Sequence, residues 1–299
     1  MSNQRYFPFS VEFIPAFLCV AENMSISAAA KCLHMSQPSI SATIKRLEKE
    51  LGITLFNRSA NGVILTSDGL RFLDHAKTIT SAIHGARDEF TDTRNPTGSL
   101  IIAASTTVSE FILPPIIGRF IQRYPSVNVT LLVKNTRDVI QLIRHRDADI
   151  GFVEGYPHST GLLFEKFIED QLVLITSPHY AKSIKTIDDL KSCTLLIREP
   201  GSGLRSVVEA AFGRIGIHID NFNRTIEMGS TTAIKQAVAT GVGIGFASRL
   251  ALANELRLQL LTPIVISGLE MTRTLSWCLP SEGRREIERL FIKFARAVD

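Results

Sequence analysis

A heptad-spaced apolar seam divides the 299-residue chain into three parts. Between Ser67 and Phe90, apolar residues recur at alternating intervals of four and three, namely Phe72, Ala76, Ile79, Ile83, Ala86 and Phe90. Such a seam predicts one long helix that buries a stripe against another helix. We favour a partner helix from a second copy of the chain, although packing on the protein's own core would produce the same pattern. The turn-forming sequence NPTG at 95–98 ends this segment.

Three short helices and a hairpin are predicted ahead of the seam. Turn signals at Glu22–Ser25 and Leu33–Ser36 separate the three helices. Ser36 is placed to cap the third helix, with Pro38 in its first turn, where the missing N–H costs little. The stretch from Thr54 to Thr66 alternates around a central turn, which is typical of a two-stranded wing. This order of elements is that of a winged helix-turn-helix.

Short apolar runs alternate with helical patterns from residue 98 onward. The runs that predict strands are Ser99–Ala104, Val127–Val133, Asp149–Val153, Gln171–Thr176, Cys193–Ile197 and Val242–Ala247. This alternation indicates an α/β fold with a mostly parallel sheet. The length of the segment allows two lobes, and a cleft between two lobes is the usual place for a small ligand.

Composition narrows the class of protein further. Hydrophobic residues make up 45% and charged residues 21% of the chain, which is an ordinary globular mixture. The formal net charge of +4 permits a nucleic-acid partner but does not identify one. No apolar run reaches the roughly 18 to 20 residues of a membrane span, and Glu12 and Pro15 interrupt the stretch that would serve as an export signal. We therefore expect a cytoplasmic protein with no membrane partner.

The cysteines predict neither a metal site nor a disulfide. Cys19, Cys32, Cys193 and Cys278 are scattered without C-x-x-C spacing, so we expect buried structural thiols. The glycine-rich GVGIG at 241–245 follows a helical pattern and enters a strand, which is the reverse of a dinucleotide-binding fingerprint. We expect no catalytic residues, no cofactor and no metal.

Motifs in the first 70 residues carry a family resemblance. They are FLCVAE at 17–22, SAAA at 27–30, LHMSQPSIS at 33–41, IKRLEKELG at 44–52 and LFNR at 55–58. In this order and spacing they resemble the DNA-binding signature of the LysR-type transcription regulators, a far more specific match than any single short pattern. The resemblance implies an α+β multidomain protein: a winged helix-turn-helix, a long linker helix, and two Rossmann-like α/β lobes of the periplasmic-binding-protein type.

The resemblance also sets the expected domain boundaries and assembly. We expect a DNA-binding domain at 1–66, a dimerisation helix at 67–95 and an effector-binding domain at 98–299. Within the last domain, lobe I takes 98–169 and 269–299, and lobe II takes 170–268. The family pattern implies a homo-oligomer that is dimeric through the linker helix and tetrameric through the sensing domains.

Double-stranded DNA is the partner that the resemblance implies. A recognition helix needs short polar side chains at its N-terminal end for base edges, with basic residues beside them for phosphates. Gln37 and Ser41 are predicted to reach bases, and Lys45 to meet a phosphate. The full predicted DNA-binding set is Ser27, Lys31, Ser36, Gln37, Pro38, Ser39, Ser41, Lys45, Arg46 and Arg58. Ala42 and Asn61 stand where the family commonly has basic residues, so we expect a different operator preference.

Hydroxyl-bearing helix starts in the second half of the chain indicate an anion site. The sequence reads STT at 105–107 and REPGSGLR at 198–205, each between a predicted strand and a helix, and GSTT at 229–232 before another predicted helix. Helix N-termini present unpaired N–H groups and a positive dipole end, which suit a small anion. The plainer alternative is that Ser105, Ser202 and Ser230 simply cap their helices.

Resemblance to the subgroup related to sulfur-assimilation regulators suggests the effector, a small oxyanion such as sulfite or sulfate. In the family, the loop after the first strand and the loop at the lobe II crossover bind effector. The predicted effector residues are Ser105, Thr106, Thr107, Glu154, Glu199, Ser202, Gly203, Arg205 and Thr231. If Glu154 and Glu199 both border the cleft, they would repel an ionised ligand unless Arg205 or a bound proton offsets their charge.

Two rival functions share the predicted lobes. A solute-binding protein of a transporter would have similar lobes, but it needs an export signal and would not carry a helix-turn-helix. An enzyme on an α/β scaffold would need a catalytic constellation, which the sequence does not contain. We therefore expect a DNA-binding regulator whose operator binding or DNA bending responds to a small anionic effector in the cleft.

Overall fold

Serine caps and apolar spacing set the helices of the N-terminal unit. The computed structural model describes residues 8–59, 62–89, 96–155, 157, 159–281 and 284–297, and its contacts separate two units, Met1–Phe90 and Thr91–Asp299. The elements of the first unit are α1 (Ile14–Asn23), α2 (Ile26–Cys32), α3 (Gln37–Leu51), β1 (Phe56–Ser59), β2 (Gly62–Leu65) and α4 (Ser67–Glu89). Ser25 and Ser36 cap α2 and α3, since the hydroxyl of each accepts the backbone N–H three residues on at 3.2 Å.

These elements confirm the predicted helix-turn-helix and the two strands of the wing. Strands β1 and β2 pair antiparallel, with Phe56 opposite Leu65 and Ser59 opposite Gly62. The turn that joins them was predicted at Ala60 and Asn61, and both lie outside the described residues.

One face of α3 is buried in the core of this unit. Ile40, Ile44 and Leu47 follow one another at intervals of four and three and are at most 6% exposed. They pack with Phe17 of α1 and with Leu55 just ahead of the wing. Burying side chains of this size contributes about 1.5–3 kcal/mol each. The helix is therefore fixed in rotation, and its opposite face is turned to solvent.

The first half of the heptad seam on α4 packs inside its own unit, and Ile83 in the second half is exposed. Phe72 and Ala76 belong to the core of their own unit, and Ile79 packs against that core, so the intramolecular alternative holds for the first half of the seam. Ile83 is 51% exposed, which leaves the second half for another partner. Phe90 lies outside the described residues. Although α4 spans 23 residues, none of the helices in the described ranges is both long and apolar enough to cross a lipid bilayer.

The second unit begins with strands and helices in alternation. Its first elements are β3 (Gly98–Ala104), α5 (Thr106–Phe111), α6 (Leu113–Arg123), β4 (Val127–Val133), α7 (Thr136–Arg144), β5 (Ile150–Glu154) and β6 (Leu162–Thr176). They are followed by α8 (Ile187–Ser192), β7 (Thr194–Arg198), α9 (Gly203–Arg214), β8 (Arg224–Met228), α10 (Thr231–Ala239), β9 (Ile244–Ser248), α11 (Ala253–Arg257), β10 (Thr262–Ile264), β11 (Met271–Pro280) and α12 (Glu286–Arg296). Every predicted strand is found, within a residue or two at most ends; β6 is the exception, because it begins nine residues before the predicted run.

The sheet is mixed, which corrects the expectation of a mostly parallel one. In the described residues the strand order is β4-β3-β5-β11-β6-β9-β7-β8, and β10 pairs with β6. The flanking strands β3, β4 and β5 are parallel to one another, as are β7, β8 and β9. The two central strands β6 and β11 run antiparallel to each other and to their outer neighbours. The C-terminal strand β11 was missed, and it supplies the antiparallel centre.

Two separate cores lie on either side of the central strands. One contains Phe120, Phe152, Trp277 and Phe291, and we call this part lobe I. The other is built around residues such as Phe212 on α9, and we call it lobe II. Because β6 and β11 contribute to both cores, the lobes share two continuous strands.

The cysteines are all free, but the prediction of buried thiols holds only for Cys19 and Cys278. Cys193 is half-buried, and Cys32 is exposed at the end of α2, so for Cys32 the prediction is wrong. Burial raises the pKa of the Cys278 thiol to about 12, and burial together with a hydrogen bond to Cys32 raises the pKa of Cys19 to about 11. Both buried thiols are therefore protonated and poorly nucleophilic at neutral pH.

Candidate functional site

The outer face of α3 presents the side chains predicted to read DNA. Gln37, Pro38, Ser39 and Lys45 are exposed, and Ser41 is half-exposed. The other predicted DNA-binding residues Ser27, Lys31, Ser36, Arg46 and Arg58 are exposed as well. We use "outer face of α3" for the exposed side of this helix, from Gln37 to Lys45.

The two acidic residues near this face are engaged inside the protein. Glu48 Oε1 accepts the backbone N–H groups of Leu55 at 2.7 Å and Phe56 at 3.2 Å, which anchors the start of the wing. Glu50 accepts the N–H of Ser10 at 3.2 Å and pairs with Arg46 Nε at 3.2 Å. Of the basic residues near this face only Arg46 is paired with one of these two carboxylates in the described structure, so Lys31, Lys45 and Arg58 are not neutralised by them.

The basic residues differ in how far they are free to meet a phosphate. Lys31, Lys45 and Arg58 have no hydrogen-bond or ion-pair partner within the described residues. Arg46 is already held, because its guanidinium lies 5.2 Å from the centre of the Phe13 ring as well as on Glu50. Ser36 and Ser39 are also held, with their hydroxyl oxygens 2.8 Å apart at the helix cap.

The second candidate site lies where β3, β5 and β7 reach their carboxyl ends, the usual position for a ligand in an open α/β sheet. Arg198, the last residue of β7, is 2% exposed. Its Nη1 donates to Thr106 Oγ1 at 2.5 Å and to Thr231 Oγ1 at 3.2 Å. Glu199 accepts from Nε at 2.8 Å and from Nη2 at 3.0 Å. We call these four residues the Arg198 cluster; it joins Thr106 of lobe I to lobe II.

Arg198 was not among the predicted site residues, although it is the first residue of the REPGSGLR motif at 198–205, from which the site was predicted. It holds Glu199 in the two-pronged geometry that an arginine uses for a bound carboxylate. Partial burial alone would raise the pKa of Glu199, but the Arg198 guanidinium outweighs it and lowers that pKa below its usual value. Glu199 is therefore ionised at neutral pH.

A second buried arginine neutralises Glu154. Arg273 on β11 donates from Nη1 to Glu154 Oε2 at 2.6 Å, from Nε to Asp170 Oδ2 at 2.8 Å, and from Nη2 to Thr107 Oγ1 at 3.2 Å. All three charged side chains are at most 1% exposed. Burial would raise the pKa of Glu154, but the attraction of Arg273 outweighs it and the pKa is lowered. We call Arg273, Glu154, Asp170 and Thr107 the Arg273 cluster.

The predicted counter-charge, Arg205, is used elsewhere. Its Nε donates to Glu209 at 2.7 Å, and its Nη1 donates to Glu227 at 2.9 Å and to the carbonyl oxygen of Arg198 at 3.0 Å. Glu154 and Glu199 are thus offset by Arg273 and Arg198, neither of which was predicted. The signal for Arg198 was its place at the end of a strand beside a predicted site loop, whereas Arg273 gave no local signal.

The three serines predicted at helix starts do not behave alike. Ser230 caps α10, since its hydroxyl accepts the N–H of Thr232 at 3.2 Å. Ser105 and Ser202 precede α5 and α9 without making a side-chain cap. The Ser105 hydroxyl is buried and makes no hydrogen bond of standard geometry in the described structure, although it lies near enough to Glu154 to help lower the pKa of that carboxyl. The plainer alternative therefore accounts for Ser230 but leaves the hydroxyls of Ser105 and Ser202 unexplained.

Gly203 brings α9 against the end of β5. A Cβ atom at this position would lie 2.4 Å from the carbonyl oxygen of Glu154 and 2.7 Å from Thr136 Oγ1. Only glycine permits this close approach of two backbones. Gly203 thus shapes the site by contacting protein rather than by offering space.

Comparison with known protein families accounts for most of the chain. Residues 12–70 match the family described as "Bacterial regulatory helix-turn-helix protein, lysR family", and residues 93–299 match the "LysR substrate binding domain".

Curated relatives and a solved structure agree with these matches. A "Probable RuBisCO transcriptional regulator" of Thalassiosira pseudonana is 33% identical over 279 residues, covering 90% of this chain and 91% of the relative. The "HTH-type transcriptional regulator CysL" of Bacillus subtilis is 30% identical over 270 residues, with 89% of each chain covered. The regulatory domain of CcmR from Synechocystis, solved in complex with 2-PG, is 30% identical with a TM-score of 0.60, covering 68% of this chain and 97% of that one.

Proposed function

The chain belongs to the LysR family of bacterial transcription regulators, and from that premise we propose that it reads its operator through the outer face of α3 and responds to a small effector at the Arg198 cluster. It is a DNA-binding regulator with an effector-binding domain, and the relatives named above are regulators rather than enzymes. We infer that it has no catalytic role and acts in the cytoplasm, where its DNA target lies. The proposed domains remain 1–66, 67–95 and 98–299.

The observation that supports the DNA proposal is the accessibility of the polar and basic side chains on and around the outer face of α3. Gln37 and Ser41 are accessible at the N-terminal half of the helix, where a recognition helix contacts base edges. Lys31, Lys45 and Arg58 are exposed in the same unit and have no hydrogen-bond or ion-pair partner among its described residues. Such a face supplies both kinds of contact that specific binding needs, to bases and to phosphates.

Selection from a random-sequence DNA pool would test this proposal. We expect a single enriched motif with approximate two-fold symmetry, because a dimer presents two copies of α3 to two half-sites. The affinity for the selected motif should fall steeply as salt rises. Enrichment of no motif, or binding that is indifferent to sequence, would contradict the proposal.

Dimerisation is assigned to the second half of α4. Ile83 is exposed, and Ile79 is only partly covered by its own unit, so a second α4 can bury both. The assembly of two such dimers into a tetramer through the sensing domains is an inference from the family. Sedimentation of an Ile79→Asp, Ile83→Asp variant would test the α4 contact; an unchanged assembly would assign both residues to internal packing.

The effector site is proposed around the hydroxyls of Ser105, Thr106 and Ser202 and the guanidinium of Arg198. Among the described residues, the Arg198 and Arg273 clusters set two arginines against three carboxylates. An anion such as sulfite or sulfate must therefore displace Glu199 from Arg198 instead of simply adding to the cleft. The 2-PG held by the CcmR regulatory domain supports a small-molecule effector for this fold.

Glu199→Gln provides the test of that exchange. A neutral amide competes less well than a carboxylate for the arginine fork, so the variant should bind the anion more tightly than the natural protein. Calorimetry with sulfite, sulfate, phosphate and small carboxylates would measure the change, and Thr106→Ala should weaken binding of the same ligand. If no anion binds either protein, the anionic effector is wrong while the DNA proposal stands.

A further inference from the structure

A groove between α7 of lobe I and α9 of lobe II forms an open, basic cavity. Its volume is about 520 Å³, within the range of sites that take small organic ligands. Polar lining comes from Arg137, Gln141 and Arg144 on α7, and from Arg205, Ser206 and Glu209 on α9. Of the residues predicted to bind effector, only Arg205 lines this cavity, so it is distinct from the Arg198 cluster.

The three arginines of the groove are engaged to different degrees. Arg205 is paired with Glu209 and Glu227. Among the described residues, Arg144 donates only to neutral oxygens, to Ser159 Oγ at 2.6 Å and to Gln141 Oε1 at 3.4 Å. The charge of Arg144 is thus not cancelled by a neighbouring carboxylate.

Arg137 is the available cation of the groove. Its side chain is exposed and has no hydrogen-bond or ion-pair partner within the described ranges. The residue is nevertheless held in place, because its backbone N–H donates to the carbonyl oxygen of Gly201 at 3.1 Å. A Cβ atom on Gly201 would lie only 3.0 Å from Arg137 Nε, so the arginine packs directly over this loop.

Charge separates this groove from the Arg198 and Arg273 clusters. In those clusters two buried arginines face three carboxylates and every guanidinium arm is bound. In the groove three arginines face one lining glutamate, and Arg137 and Arg144 keep their charge. An incoming anion has to break an ion pair in the clusters, but none in the groove.

We infer that the α7–α9 groove is a second ligand site for a small organic polyanion bearing phosphate or carboxylate groups, with Arg137 and Arg144 as its main contacts. Arginine forks suit both groups because they donate two parallel hydrogen bonds. Since one wall belongs to each lobe, the ligand binds best in one relative arrangement of the lobes and favours that arrangement. The site would give the regulator an input separate from the effector of the proposed function.

Calorimetry on the full-length protein would test this site, with inorganic pyrophosphate and citrate as the two probes. Arg137→Gln should weaken binding of the preferred probe about tenfold, and Arg137→Lys should weaken it less. The matched control is Arg119→Gln, because Arg119 is an exposed arginine on α6 whose side chain, within the described part of the chain, donates only to the carbonyl of Pro115. Arg119→Gln and Thr106→Ala should leave the affinity unchanged.

The two probes and the control distinguish the possible outcomes. Preference for pyrophosphate or for citrate identifies phosphate or carboxylate as the recognised group. An affinity that falls with Thr106→Ala but not with Arg137→Gln would place the anion at the Arg198 cluster and overturn the inference. Equal losses in Arg137→Gln and Arg119→Gln, or no binding of either probe, would also overturn it. Binding of operator DNA by unliganded Arg137→Gln should match the natural protein, so failure here leaves the proposed function intact.

Discussion

The polar side chains on the outer face of α3 and those in the two arginine clusters of the second unit differ in their exposure and in their hydrogen bonding. On α3, Gln37 and Lys45 are exposed, and their side chains make no hydrogen bond or ion pair to any residue that the structure describes. In the clusters, Arg198 and Arg273 are at most 2% exposed, and each makes at least three hydrogen bonds. Both regions are proposed to meet a ligand, yet only one of them has its contacts free.

The difference follows from the cost of an unpaired polar group. In water such a group costs nothing, whereas a buried charge without a partner costs several kcal/mol. The polar side chains of a DNA-binding face can therefore stay hydrated in the free protein and form their contacts when DNA binds. A buried sensing site has to satisfy its charges before the ligand arrives, so the ligand must exchange contacts rather than add them.

Removing Arg273 should produce the largest effect on either region. Arg273→Met leaves Glu154 and Asp170 buried without their counter-charge, which should lower the free energy of unfolding by about 3–5 kcal/mol. Trp277, the single tryptophan, is buried in lobe I, so its fluorescence during urea unfolding reports on the second unit alone. Arg289→Met is the control, because the one ion pair of Arg289 among the described residues is the exposed pair with Glu286. If Arg273→Met lowers the free energy of unfolding by less than about 1 kcal/mol, as an exposed ion pair would, then Arg273 does not neutralise buried carboxylates.

On α3 the expected losses concern binding and not folding. Gln37→Ala should lower operator affinity by about 1–3 kcal/mol at one base-pair position. Lys45→Ala should instead weaken all sequences alike and reduce the salt slope by about one. Footprinting on operator variants and a salt titration would separate the two. If both variants lose affinity uniformly, Gln37 does not contact bases.

Acid titration should weaken the Arg273 cluster gradually. The pKa of Glu154 is lowered in the folded protein, so its contribution to stability is fully present above about pH 4.5 and is lost as pH falls through the lowered pKa. The difference in unfolding free energy between the natural protein and Glu154→Gln should therefore shrink below pH 4.5. Trp277 fluorescence in urea at several pH values would measure it. If the difference in unfolding free energy stays constant down to about pH 3, the pKa of Glu154 is not lowered in the folded protein.

Arg46 should show the smallest effect, since it lies on the α3 side yet is held by Phe13 and Glu50. Arg46→Ala should lower the stability of the first unit by about 0.5–1 kcal/mol through the lost ring contact. Lys45→Ala, one position away and without a partner, should leave stability unchanged. Thermal unfolding followed by circular dichroism would compare them. Equal stability of the two variants would mean that Arg46, like Lys45, is free to meet DNA.

Local signals explain why the first unit could be predicted nearly element by element. The caps at Ser25 and Ser36 and the spacing of Ile40, Ile44 and Leu47 act within a few residues of one another. The sequence did not predict that Phe72 and Ala76 pack in the core of their own unit. An internal seam and an intermolecular seam have the same period, so the spacing does not distinguish them.

The loops of the proposed sensing site could be predicted from sequence, but the contacts between them could not. Two of these loops follow the predicted strands β3 and β7, whereas β8, the strand before α10, was not predicted. The partners of Arg273, however, lie 103, 119 and 166 positions away, where no local pattern can connect them. The pairing of Glu199 with Arg198 instead of Arg205 could not be predicted either, because it depends on how β7 and α9 are placed in the fold.

The two strands that the lobes share also govern the order in which this chain can fold as it leaves the ribosome. Lobe I begins first, with β3, but its core includes Trp277 and Phe291 near the C-terminus. The core of lobe II extends only as far as Met271. Synthesis runs from the N-terminus at about 5–20 residues per second, so lobe II can close while lobe I still waits for its last strand and helix. During that interval the apolar faces of β3 and α6 stay uncovered, and truncation within β11 or α12 should leave them so permanently, as an aggregation-prone surface.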